Sequence, residues 1–182
     1  MGQLSMSSAA REAMLERMMR ENGAQLVGLC TALLGNAHDA QDAVQETFIR
    51  AYRAMDRFRG EREGSERAWL TRIAVNLCRS RLRSARFRFG RRCVPLEYAQ
   101  DIAADASGEE RELYDVVLAL DGRSREVILM HYYQEMSVHE IAQVFGRPPS
   151  TVYRWIERAR MLIREEWERR EGEWTRTGFA RP

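Results

Sequence analysis

The sequence predicts an all-α protein: two small helical domains joined by a flexible linker, the second of them a helix-turn-helix. Three observations carry this. Apolar residues recur at i, i+3, i+4 and i+7 over most of the chain, the spacing of one helix face. No stretch alternates apolar and polar residues long enough to read as a strand. Between residues 87 and 108 the helical pattern fails, where Gly90, Pro95 and Gly108 stand among alanines and acids. A chain of 182 residues suits one medium domain or two small ones.

The elements follow in order. Met14, Leu15, Met18, Met19, Leu26, Leu29, Cys30, Leu33 and Leu34 recur at helix spacing, with Gly35 as a natural stop. Asn36 can cap a second helix to about Asp56, because its side-chain oxygen can accept from an orphan first-turn amide. A third helix runs from near Glu66 to about Arg86. Leu113, Val116, Val117 and Leu120 open the second helical unit. Ser137-Val138-His139-Glu140 fits a capping box, in which the Ser hydroxyl and the Glu carboxylate each satisfy one orphan amide. Val138, Ile141, Ala142 and Phe145 form the apolar stripe of that helix, and Gly146 suits its C-terminal turn. Arg147-Pro148-Pro149 cannot continue it. Ser150 is the expected cap of the last helix, on which Val152, Ile156, Ala159 and Ile163 share one narrow stripe. The expected limits are residues 8–88 for the first domain, 89–109 for the linker, 110–168 for the second domain and 169–182 for a tail.

Charge is patterned more strongly than the net value of +2 suggests. All 29 basic residues are Arg. Residues 57–92 hold 12 Arg against 3 Glu, whereas residues 93–113 hold 1 Arg against 6 acids. A basic block of that density is an electrostatic footprint for phosphate, although a solvated charge run has the same composition. No apolar run approaches the roughly 18 residues a membrane helix needs, so no direct membrane insertion is expected. The N-terminus lacks the basic-then-apolar pattern of a secretory signal, and the cytoplasm is the expected location. Cys30, Cys78 and Cys93 have no metal-ligand spacing, so neither a metal, a cofactor nor a disulfide framework is expected. Three His, no nucleophile–base pairing and no phosphate loop argue against an enzyme.

Three surfaces stand out. On the second helix, Val44, Phe48, Ala51 and Met55 share the core side. Asp42, Glu46, Ile49 and Arg53 share the opposite side, with Gln45 at its edge. An Ile on a polar face is often incidental. On the third helix, Trp69, Leu70, Ile73 and Leu77 share the buried face. Arg72, Asn76, Arg79, Arg83 and Arg86 form a track of about two dozen Å on the other, at about 1.5 Å per residue. Such a track can follow a phosphate backbone, with Asn76 able to reach a base edge. The preceding loop, Phe58 to Glu66, contains two Gly and can present backbone to an unstacked base. On the last helix, Arg154, Glu157, Arg158 and Met161 point away from the core. A short capped helix, a tight turn and a longer Arg-bearing helix describe a DNA-reading helix-turn-helix, or equally a solvated helical hairpin. Tyr153 flanks the exposed face, and Trp155 borders the core.

Two segments together resemble one family. Leu33 to Asn36, Asp39 to Tyr52, Phe58-Arg59-Gly60, Trp69-Leu70 and Ile73 to Asn76 resemble the second conserved region of extracytoplasmic-function sigma factors. Arg123 to Val127, Met136-Ser137, Glu140-Ile141-Ala142, Thr151-Val152 and Arg158-Ala159-Arg160 resemble their fourth region. The likeness covers roughly residues 20–86 and 110–166. It implies a non-catalytic subunit that binds core RNA polymerase and directs it to promoters. Asp42, Gln45, Glu46 and Ile49 then lie where the family binds the β′ clamp helices, and the fourth region meets the β flap. Arg72, Asn76, Arg79 and Arg83 match the part that melts and reads the minus-10 element. Thr151, Tyr153, Arg154, Glu157 and Arg158 lie on the minus-35 reader. Family members are commonly held inactive by an anti-sigma factor. The sequence departs from the family pattern at Ser80, where many relatives carry Asp, and at Glu66, which replaces a common aromatic or apolar residue. The recognition-helix start, Ser150-Thr151-Val152-Tyr153-Arg154, is also unusual, so no promoter sequence is implied. The competing reading is a helix-turn-helix regulator that binds operator DNA without polymerase. It leaves the Asp42/Glu46/Ile49 face without a role.

Overall fold

The computed structural model describes residues 7–58, 65–89 and 108–177, which are helical throughout apart from short turns. They belong to two compact units, one on each side of residues 90–107. The expected linker lies almost wholly outside the described residues.

The first unit is a three-helix assembly of α1 (Ser8–Leu34), α2 (Ala37–Ala54) and α3 (Ser65–Phe89). Ser7 caps α1, its hydroxyl accepting from the Ala10 amide, and Gly35 ends it with a left-handed φ of 71°. Asn36 caps α2 as its sequence position demands, its side chain accepting from the Asp39 amide at 2.9 Å. The α-helix stops at Ala54, and a 3-10 turn over Met55–Arg57 finishes it. The core takes Met18, Leu26, Leu29 and Cys30 from α1, and Leu70, Ala74, Val75 and Cys78 from α3. From α2 it takes Phe48 and three fully buried alanines, Ala40, Ala43 and Ala51. The alanines let neighbouring backbones approach closely. Each fully buried Leu contributes roughly 1.5–3 kcal/mol. The buried hydroxyls of Thr31 and Thr47 donate to carbonyls one turn back, at 2.8 and 2.7 Å, so burial leaves neither unsatisfied. On α3 the core face is wider than the apolar pattern alone defines. Thr71 and Ala74 are completely buried, whereas Trp69 and Ile73 are only half-buried. The helix also runs three residues beyond Arg86, to Phe89.

The second unit comprises α4 (Gly108–Ala119), α5 (Gly122–Ile128), α6 (Val138–Phe145) and α7 (Pro149–Thr177). Asp121 caps α5 by accepting from the Arg123 and Ser124 amides and the Ser124 hydroxyl. A π-helical turn, Leu129–Tyr133, leads to Glu135, which sits at φ 52° without being glycine. The capping box of α6 is present: the Glu140 amide donates to Ser137 Oγ at 3.3 Å, and the Ser137 amide to Glu140 Oε2 at 2.8 Å. Gly146 closes the helix in the left-handed region, at φ 59°. Val152, Ile156 and Ala159 fill the core beneath α7, against Ile141 and Ala142.

One expectation is corrected here. Ser150 does not cap the last helix. The helix begins at Pro149, and the Thr151 amide donates to the Pro148 carbonyl at 3.0 Å, so Ser150 lies inside the first turn. Proline suits that first position because its φ is already helical and it has no amide to leave unpaired. The helix also runs past residue 169, where the tail is expected to begin. The α7 helix continues to Thr177, although its apolar stripe has ended. Ion pairs one turn apart support the extension: Glu166 accepts from Arg169 at 2.6 Å and from Arg170 at 2.9 Å. Those two guanidinium groups, Arg169 first, hold the Glu166 carboxyl down at about 2, against the solvation it loses on burial.

Candidate nucleic-acid interface and docking groove

On α2, Asp42, Gln45 and Ile49 are exposed, and Glu46 is half-buried beside them. Asp42 lies 3.7 Å from His38 Nδ1. Glu46 accepts from Arg50 Nε at 2.6 Å, and this hydrogen bond is the main reason its carboxyl sits below the usual carboxylate range. The face is therefore acidic but partly paired. Ile49, 45 % exposed, is not an isolated apolar residue. It forms one lip of a groove of about 740 Å³ between α1 and α2, lined by Leu15, Met19, Gly23 and Val27 on one helix and Val44, Gln45, Phe48, Ile49, Tyr52 and Arg53 on the other. Met19, 48 % exposed, forms the opposite lip. The α1 half of this surface is not expected from sequence as a surface: Leu15 and Met19 enter only as part of the helix's apolar pattern. Its only sequence signal is that the apolar residues of α1 span more of the helix than one core stripe requires.

On α3, Asn76 and Arg83 are exposed, while Arg72 and Arg79 are half-buried at the edges of the stripe. The track is thus continuous along the helix but graded in depth. The side chain of Arg86 lies outside the described residues, as do residues 59–64 of the preceding loop. The flanks of that loop are described. Phe58 stacks on Trp69 with ring centroids 4.7 Å apart. Glu66, in the first turn of α3, accepts from Arg17 Nη2 at 2.6 Å and from Asn22 Nδ2 at 3.3 Å. Arg81, outside the stripe, donates to the Asp39 carbonyl at 2.8 Å, fastening α3 to the first turn of α2.

On α7, Tyr153, Arg154, Glu157 and Arg158 are exposed, and Thr151 is half-buried. They do not form one uniform face. Arg154 stands on the outermost line of the helix. Glu157 is drawn along the surface by an ion pair with Arg160 at 2.8 Å. Arg160 in turn donates from two nitrogens to the Tyr132 hydroxyl, anchoring the helix to the π-helical turn. Arg158 lies toward Asp121, in a shallow pocket with Leu162, Glu165 and Arg169. Trp155 packs edge-on against Phe145 at 5.1 Å, with the Arg123 guanidinium 4.4 Å above the Phe145 ring and 4.9 Å above Trp155. That cluster ties α6, α7 and the start of α5 together.

A second apolar groove, about 990 Å³, runs between α4, the π-helical turn and α7. Leu113, Tyr132 and Tyr133 are exposed along it, and Ile163 and Trp167 form its far wall. Leu113 and Ile163 belong to the predicted apolar stripes, yet they face this groove and not the closed core.

Comparison with known proteins follows this division. Residues 18–88 match the family model Sigma-70 region 2, and residues 110–163 match Sigma-70, region 4. The chain is 33 % identical over 152 residues to the ECF RNA polymerase sigma factor SigW of Bacillus subtilis, a match spanning 76 % of this chain and 80 % of that one. Among solved structures it is similar to CnrH in complex with the cytosolic domain of CnrY, with TM-score 0.64 and 28 % identity over 86 % of this chain and 89 % of that one. The fold is also that of the sigma factor RpoE of Bartonella quintana, solved with the anti-sigma factor NepR, with TM-score 0.63 and 21 % identity over 86 % of this chain and 96 % of that one. The chain belongs to the ECF RNA polymerase sigma factor family. No helix among the described residues is long and apolar enough to cross a membrane.

Proposed function

We propose that this sigma factor docks on core RNA polymerase through the α1–α2 groove and its acidic border, reads the minus-10 element with α3, and reads the minus-35 element with α7. One observation carries the proposal: a capped helix-turn-helix and a separate helix bearing an Arg/Asn stripe occur in one chain, beside an apolar groove that DNA reading alone does not need. Asp42, Gln45, Glu46 and Ile49 border the groove that takes the β′ clamp helices. The groove of Leu113, Tyr132, Tyr133 and Trp167 takes the β flap. An anti-sigma factor controls the protein by covering these surfaces. That CnrH and RpoE are each solved with a bound partner supports this. Residues 8–88 form the core-binding and minus-10 domain, and residues 110–168 the minus-35 domain. The site of action is the cytoplasm.

On α7 we read Arg154 as the base reader and its neighbours as its supports. Arg154 is exposed on the outermost line, above the buried Val152 and Ile156. Thr151 and Tyr153 flank it and are suited to phosphate, and Glu157 and Arg158 complete the reading face. A bidentate Arg–guanine pair gives roughly 1–3 kcal/mol of discrimination. Arg154→Ala is expected to relax preference at one or two minus-35 positions and leave minus-10 preference unchanged. A randomised-promoter selection with polymerase and each protein tests this. Identical minus-35 profiles for wild type and variant transfer the specificity to DNA shape.

A further inference from the structure

We infer that Arg17 and Glu66 are positioning residues for minus-10 recognition, acting through the first turn of α3. The inference rests on the reading of α3 given above. The Glu66 side chain is only 17 % exposed. It is not an unsupported buried charge. Arg17 grips it with two nitrogens, at 2.6 and 3.4 Å, and Asn22 donates at 3.3 Å. Asn22 is itself 7 % exposed and donates to the Met18 carbonyl at 3.2 Å. Arg17 also pairs with Glu21 at 2.9 Å. The network therefore joins the middle of α1 to the N-terminal end of α3 by charge-assisted hydrogen bonds, which are directional where an apolar contact is not.

Its location gives it a role beyond adhesion. Leu70, Val75 and Cys78 already bury α3 against the core, and Arg81 holds its far part to α2. Apolar packing tolerates rotation and sliding of a helix by small amounts. A two-pronged Arg–carboxylate contact at one end does not. Glu66 lies ten residues before Asn76, nearly three turns along one rigid helix, so a rotation at Glu66 reaches the Asn76 side chain undiminished. A change at this contact therefore shifts the stripe.

The test uses full-length protein with core polymerase and a randomised promoter library. Glu66→Gln removes the charge and keeps an acceptor for Asn22; Arg17→Gln removes the other half. Both are expected to lower minus-10 base discrimination at least about 3-fold in the same positions, with the minus-35 profile unchanged. The exchanged pair, Arg17→Glu with Glu66→Arg, is expected to recover most of the loss. A merely structural contact predicts a lower melting temperature with unaltered minus-10 base ratios, and that result overturns the inference, as does failure of the exchange to recover discrimination. If Arg17→Gln folds poorly, Glu66→Gln and the exchanged pair decide. Asn76→Ala is run beside them. If it changes minus-10 ratios while the Glu66 and Arg17 variants do not, only the positioning role falls. If none of them does, the reading of α3 falls as well.

Discussion

Reversing Asp42 and Glu46 to Arg is expected to abolish binding to core polymerase while leaving the helical content unchanged. Both carboxylates lie on the outer side of α2, clear of the core alanines, so replacing them removes little packing. Two reversals change the local charge by four units at the border of an apolar groove. Complementary charge at such a border sets register and encounter rate, and like charges brought together cost several kcal/mol. Glu46 also loses its pair with Arg50 and meets Arg50 and Arg53 as like charges, a surface effect that lowers fold stability little. Pull-down of core polymerase and circular dichroism of the same preparation together check the prediction. Polymerase capture at the wild-type level, with the fold intact, removes the docking assignment.

The α3 stripe should produce the next largest effect. Arg72, Arg79 and Arg83 are expected to act on phosphate, and Asn76 on a base. Each Arg replaced by Ala should lower the salt slope of promoter binding by about one unit. Asn76→Ala should instead slow open-complex formation with little change in slope, because it carries no charge. The graded burial sharpens the expectation. Arg83 is exposed and free to follow a backbone, so its loss should register almost wholly as electrostatics. Arg72 is half-buried, and its loss should also lower stability through the packing of its methylene stem. Permanganate footprinting of the minus-10 region and binding at several salt concentrations separate these contributions. Unchanged melting across the set leaves the stripe as a solvated face.

Much of the fold was legible because it rests on local chemistry. Asn36, Ser137 and Gly146 act at helix ends as their side chains, or the lack of one, require, and the stripes of α2 and α6 follow directly from spacing. The departures are instructive for the same reason. Ser150 resembles a cap, but the neighbouring proline had already met the need a cap serves. The extension of α7 is held by Glu166 with Arg169 and Arg170, a polar support invisible to a search for apolar period. The site was legible as separate faces. Ile49 stands out on its helix, but its groove exists only because α1 lies alongside, and no pattern within α2 reports that neighbour. Glu66 was visible as a departure from its family, while its partners Arg17 and Asn22 lie more than forty residues away in the chain.

Gly23 gives the α1–α2 groove a further meaning. It interrupts the middle of a 27-residue helix, where glycine costs about 1 kcal/mol relative to alanine. A Cβ added there would meet nothing within 4 Å, so no internal clash requires the glycine. Its φ is not of the left-handed kind either. Gly23 lines the groove, so under the proposed docking the missing methyl leaves space there. If the groove takes a partner as proposed, stability of the unbound protein and fit to that partner are opposed at this one position. An alanine should raise the melting temperature and, by occupying room meant for another molecule, weaken the complex.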